Sequence, residues 1–123
     1  MVQTTPTWAD PSPGTRLTVD GRDVAPLWIA RADHERNTGL LGTDALAGAL
    51  LIEHCRAVHT LRMRHAIDVA FVAPDGVVLD TRTMRPWRLS ATRWRASCVV
   101  EAPAGAFAAW GLRRGSTIAV SGA

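Results

Sequence analysis

The chain has 123 residues, 47% of them hydrophobic and 20% charged, which fits one globular domain and excludes two. A chain of this length buries roughly two-thirds of the surface that its unfolded form exposes, so a core needs no disulfide or metal staple, and no apolar run approaches the ~20 residues of a membrane span. The net charge is +3, and all fourteen basic side chains are Arg; their planar forks suit carboxylates and phosphates, which permits an anionic partner without requiring one.

Residues 1–14 hold three Pro and one Gly with no apolar period, so they read as a flexible leader in which only Trp8 has much to dock with. They lack the basic and apolar regions of an export signal, and a cytoplasmic location is expected unless a leader was removed. The domain proper is expected over 15–123. Leu17–Val19 alternates, Asp20-Gly21 signals a turn, and Val24–Ala30 returns as a second strand, which predicts a hairpin. Asp33 to Gly39 predicts one helical turn, capped by Asp33 and left through Gly39. Leu40–Gly48 reads as a loop, and Ala49–Ile52 as a short buried strand.

Val58 to Arg64 alternates, which places His59, Leu61 and Met63 on an apolar-facing side and Thr60, Arg62 and Arg64 on the other. Ile67–Ala73, the turn Pro74-Asp75-Gly76 and Val77–Leu79 form a second hairpin. Ser97–Glu101 predicts a strand, Ala104–Trp110 a short helix stopped by Gly111, and Thr117–Val120 a last strand after Arg114-Gly115. Short strands between Gly, Pro and Asp turns predict a mainly β domain, a compact β-sandwich or jelly-roll or barrel-like form with one or two short helices and almost no parallel crossover.

An ordered series of blocks resembles the domain-of-unknown-function 192 family. Glu35-Arg36-Asn37-Thr38-Gly39-Leu40-Leu41-Gly42 stands where the family shows an Arg followed by Gly-Leu-Met-Gly-Arg, with Leu41 for Met and Thr43 for the final Arg. Val58-His59-Thr60-Leu61-Arg62-Met63-Arg64 follows the family's His, Thr or Ser, aromatic, variable, Met, basic pattern, with Leu61 in the aromatic's place. Further blocks are Ile67-Asp68-Val69-Ala70-Phe71, Asp75-Gly76-Val77-Val78, Pro86-Trp87-Arg88, Val99-Val100-Glu101-Ala102-Pro103-Ala104-Gly105 and Gly111-Leu112-Arg113-Arg114-Gly115, so the likeness spans roughly residues 27–120. The resemblance implies a compact β-sandwich of jelly-roll or barrel-like form and no assigned reaction. Many relatives carry an export signal or lipid anchor, and some are encoded near pilus or secretion-assembly genes, which implies a partner from such a system.

The best candidate site is the block Val58–Asp68, where His59, Arg62, Arg64, His65 and Asp68 collect around apolar residues. His59 could act as general base or ligand; the simpler reading is a core histidine bonded to a backbone carbonyl or to Asp68. Asp68, between Ile67 and Val69, needs a partner once buried, and Arg36 and Arg64 are the expected cations. Cys55, His59, His65 and Asp68 are compatible with half of a zinc site but lack a second close pair, so no metal and no cofactor is expected. A Cys55 nucleophile with His59 as base lacks any visible means of activating the thiol, and whether Cys55 and Cys98 meet is open. Between Thr81 and Arg95, five Arg and two Trp occur without an acid, a composition able to grip phosphates and stack bases. The modest net charge and lack of a nucleic-acid fold signature disfavour that reading.

These residues together predict a non-enzymatic binding module for a small ligand or a protein, with its site at His59, Arg64, Asp68, Trp87, Arg88 and Arg36. The alternatives are a small hydrolase using His59 and Asp68, and an anion or nucleic-acid binder using segment 82–95.

Overall fold

The computed structural model describes residues 2–122; Met1 and Ala123, the outer ends of the expected leader and domain, lie outside the described residues. The chain is mainly β with two short helices, in the order β1 (Thr15–Val19), β2 (Arg22–Ala30), α1 (Asp33–Thr38), β3 (Ala49–Glu53), β4 (Ile67–Val72), β5 (Val78–Met84), β6 (Cys98–Pro103), α2 (Ala106–Trp110) and β7 (Ile118–Gly122). All seven strands join one sheet in the order β5-β4-β6-β3-β2-β1-β7. The two edges approach at a single bridge, Val77 with Thr117, where Gly76 has φ +90° and a Cβ would come within 2.7 Å of the Ile118 carbonyl oxygen. The sheet curls strongly but does not close.

Period-two alternation sorts side chains to the two faces. Leu17, Leu27, Leu51, Ala70, Val72, Val100 and Ala102 form the inner core, on which Phe107 of α2 and Leu112 pack. Trp28, Leu50, Ile52, Ile67, Val69, Phe71, Met84 and Val99 form a second core on the outer face, covered by irregular chain including Leu40, Leu46, Val58 and Ala96. Both hairpins stand where expected. One pairing, β2 with β3, is parallel; the α1 segment makes the crossover that this requires.

Three local expectations need correction. Val58–Arg64 is not a strand: it makes one isolated bridge, His59 with Leu89, and Arg62 turns through φ +65°. Its faces are also reversed, with Val58 and Thr60 buried and His59 and Leu61 outside. The reason is Thr60, whose hydroxyl donates to the Arg85 carbonyl at 2.6 Å and accepts the Arg88 amide at 2.9 Å, so a small polar residue is fully satisfied inside. Asp33 does not cap α1; Ala32 holds that position, and Glu35 Oε1 accepts the amides of Arg31 and Ala32 instead.

Residues 2–14 carry no strand or helix, yet several of their groups are engaged. Pro6 is fully buried, Trp8 Nε1 donates to the Gly39 carbonyl at 3.1 Å, and the Asp10 carbonyl accepts Trp28 Nε1 at 2.8 Å.

Candidate functional site

Strand β6 reads Cys-Val-Val-Glu-Ala-Pro, and alternation sends Val99 and Glu101 to the outer face while Val100 and Ala102 enter the inner core. Glu101 therefore stands in the middle of the sheet, with Leu50 of β3 and Val69 of β4 as its lateral neighbours. It is 5% exposed, and among the described residues no donor meets its carboxyl group. Burial in these apolar surroundings pushes its pKa up from 4.5 to about 7.

The carboxyl group faces a cleft of about 80 Å³ between the outer sheet face, the end of α1 and the segment that follows β3. Its walls are mixed: Leu40, Ile52, Val58, Met63 and Ile67 supply apolar surface, and Arg36, Asn37, Thr38, Cys55 and His59 supply polar side chains. Gly39 leaves α1 at φ +50°, and a Cβ there would sit 3.9 Å from Glu101 Oε1. The absence of a side chain thus keeps the space above the carboxyl group open, in a backbone conformation that L-residues rarely adopt.

Arg36 is held at its tip: Nη2 meets Asp33 Oδ1 at 2.5 Å and Nη1 reaches the Glu53 carbonyl at 3.5 Å. Its Nε is buried without a hydrogen-bond partner. His59 is exposed on the cleft's margin, with Nδ1 accepting the Leu61 amide at 3.3 Å. Cys55 is half-buried, its thiol donating to the Ala57 carbonyl at 3.1 Å, and burial pushes its pKa up, which keeps the thiol neutral rather than nucleophilic. Cys55 and Cys98 are both free thiols.

Of the six expected site residues, Arg36 and His59 come together at this cleft. Asp68 does not join them. It lies on the inner face beside α2, where Oδ1 accepts Thr83 Oγ1 at 2.7 Å and Oδ2 accepts the amides of Gly105 and Phe107 at 3.0 and 3.1 Å. The sheet stands between Asp68 and His59, so they form no dyad, and neither Arg36 nor Arg64 is the partner of Asp68. Arg64 pairs with Asp44 instead. Among the described residues no three His, Cys, Asp or Glu side chains gather where a metal ion could be held.

Trp87 and Arg88 are laced by their backbone to Thr60, through Trp87 N to the Thr60 carbonyl and Thr60 N to the Arg88 carbonyl, both at 2.8 Å. Their side chains point elsewhere: Trp87 is 61% exposed, and Arg88 lines a separate groove of about 430 Å³ with Arg82 and Arg85, in which no acid takes part. Glu101 escaped the sequence reading, which treated it as a strand residue. Its signal was there, a single acid in a four-residue apolar run on a strand with both faces covered.

The model of the family DUF192, described as "Uncharacterized ACR, COG1430", matches residues 15–120. UPF0127 protein PF1050 of Pyrococcus furiosus is 36% identical over 62 residues, 50% of this chain and 53% of its own length. UPF0127 protein PYRAB11210 of Pyrococcus abyssi is 38% identical over 48 residues, 39% of this chain and 41% of its own length. The chain thus spans about half or less of the length of these relatives. A solved structure of a candidate transcription regulator from Sinorhizobium meliloti 1021 superposes with a TM-score of 0.71 at 19% identity, covering 91% of this chain and 98% of that one. A protein of unknown function from Novosphingobium aromaticivorans gives 0.71 at 16% identity, with 97% and 99% covered. At these identities the likeness is one of fold.

Proposed function

The chain belongs to the uncharacterised DUF192 family, and from that premise we propose that it is a non-enzymatic binding module whose cleft at Arg36, His59 and Glu101 receives a small ligand or a group from a protein partner. The observation that carries this reading is the Glu101 carboxyl group, buried, unpartnered and facing open space. An unpaired buried acid costs folding free energy and is retained against that cost where a bound group can complete it. Arg36 also lines this cleft. Binding rather than catalysis is favoured because His59 has no carboxylate behind it and the Cys55 thiol is held neutral.

The test is an amide NMR screen of the full chain against sugars, sugar acids and short peptides. Hits are expected to move the amides of Thr38–Leu41 and Val58–His59. They should vanish in Ala57→Trp, which blocks the cleft at an exposed lining position. Hits that ignore this substitution would remove the cleft from consideration. The groove of Arg82, Arg85 and Arg88 supports a second reading, anion binding, because three guanidinium groups line it and only Arg82 has an acid nearby, Asp80 at 3.9 Å.

A further inference from the structure

Residues 54–67 and 81–100 carry eight of the fourteen Arg and none of the eleven acids. Backbone bonds draw the two stretches into one ribbon over the outer core: Arg93 N donates to the Arg56 carbonyl, Ser90 N to the Val58 carbonyl and Trp87 N to the Thr60 carbonyl, each at 2.8 Å. At the Thr60 end two turns lie side by side, because the same carbonyl accepts the Met63 amide at 3.1 Å.

Thr60 is fully buried, whereas Leu61, Arg62, Arg85, Trp87, Arg88 and Leu89 around it are all exposed, Trp87 at 61% and Leu89 at 73%. Arg62, Arg85 and Arg88 meet no acid among the described residues; Arg64 pairs with Asp44, Arg93 with Asp80, and Arg82 lies 3.9 Å from Asp80. Arg62 and Trp87 stand at φ +65° and +63°, a backbone conformation ordinarily left to Gly or Asn. The tip of the ribbon thus holds three uncompensated guanidinium groups among three large apolar side chains.

A single-stranded nucleic acid would use the Arg and the face of Trp87 but would give Leu61 and Leu89 nothing to bury against. The surface of an anionic bilayer uses all six. Arg reaches lipid phosphates at the end of an apolar stem, Trp settles at the headgroup level, and Leu enters the acyl boundary.

We propose that this tip, Leu61-Arg62 with Arg85 to Leu89, is a docking surface for the anionic face of a lipid bilayer, on which the protein sits peripherally. The proposal does not depend on the Glu101 cleft, and it gives the anion reading of the Arg82, Arg85 and Arg88 groove a particular partner, the lipid phosphate. The charge distribution agrees: the remaining residues hold six Arg against all eleven acids, so an anionic surface repels them and draws the tip toward itself.

Co-sedimentation of the full chain tests this with phosphatidylcholine vesicles, with and without about 30 mol % phosphatidylglycerol, at physiological salt. Binding is expected only with the anionic lipid. It should fall about tenfold or more when Arg85→Gln and Arg88→Gln are combined, and several-fold in Trp87→Gly or Leu89→Ser. Gly suits the left-handed backbone at position 87, and circular dichroism reports that each variant is folded. Trp94→Ser is the control: Trp94 is 78% exposed and lines a groove with Arg56 and Pro74 toward the other end of the ribbon, and its loss should leave binding unchanged.

No binding to anionic vesicles, equal binding to phosphatidylcholine alone, tip variants that bind like the parent, or a loss in Trp94→Ser equal to that in Trp87→Gly would each overturn the proposal. If inorganic phosphate or oligothymidine shifts the amides of residues 82–91 while vesicles fail to sediment the chain, the bilayer is ruled out and the anion reading of the groove survives. Poly-glutamate bound in place of vesicles would overturn the bilayer in favour of an acidic protein.

Discussion

A carboxyl group that is 5% exposed and meets no donor is easier to keep protonated than ionised, and the consequence is a dependence of stability on pH. The Glu101 pKa rises from 4.5 in the unfolded chain to about 7 in the fold, so the unfolded state releases its proton first. Its burial is therefore least costly below pH 4.5, and the penalty grows as pH rises toward 7, reaching about 3 kcal/mol. Asp80 acts at the other end. Its pKa is lowered, chiefly by the hydrogen bond from Arg93, so its contribution is present above 3.8 and fades as pH falls. Thermal melts of the full chain should give a lower Tm at pH 8 than at pH 5, and Glu101→Gln should flatten most of that slope. An unchanged slope in the variant would show that Glu101 does not titrate as its surroundings require. The sequence showed the acid but not its isolation, because isolation depends on what β3, β4 and α1 leave uncovered.

At the scale of elements, Asp68 shows how a residue read as functional can belong to the scaffold. Helix α2 has only five residues, and its start at Gly105 has no side-chain cap of its own. Asp68 supplies one from the neighbouring strand by accepting the Gly105 and Phe107 amides, and Thr83 on β5 holds its other oxygen. A carboxylate at a helix start is favourably placed. Asp68→Ala strands two backbone amides and a hydroxyl, and should cost about 3 kcal/mol in urea unfolding while speeding hydrogen exchange at Gly105 and Phe107. A cost below about 1 kcal/mol would show that α2 does not depend on this cap. The sequence located α2 through Ala104–Trp110 and Gly111, two residues longer at its start than the observed helix, but a cap contributed from 37 positions away leaves no local pattern.

At the scale of the molecule, the fourteen Lys and Arg positions are all Arg, and three of them, Arg82, Arg85 and Arg88, line one groove in which only Arg82 has an acid nearby, Asp80. If single-stranded oligonucleotides bind there through three phosphates, log affinity should fall with log salt at a slope near about −2, and Arg85→Ala with Arg88→Ala should reduce that slope. Binding indifferent to salt would dispose of the anion reading. The same scale explains why the expected cluster came apart. Residues 59 and 68 are close in sequence, but β4 places Asp68 on the inner face while the outer core receives Val58 beside His59. The curled sheet turns that short separation into two environments.

Alternation, turn residues and apolar runs by themselves determined the mainly β class, both hairpins and the two helices, because each depends on neighbours a few positions apart. They also carried the family likeness. The tertiary structure alone decided the parallel β2–β3 pairing, the inward turn of Thr60, the use of Asp68 as a cap and the isolation of Glu101. Each of those depends on which distant donor or apolar surface arrives beside a side chain, and that is set only when the strands take their order in the sheet.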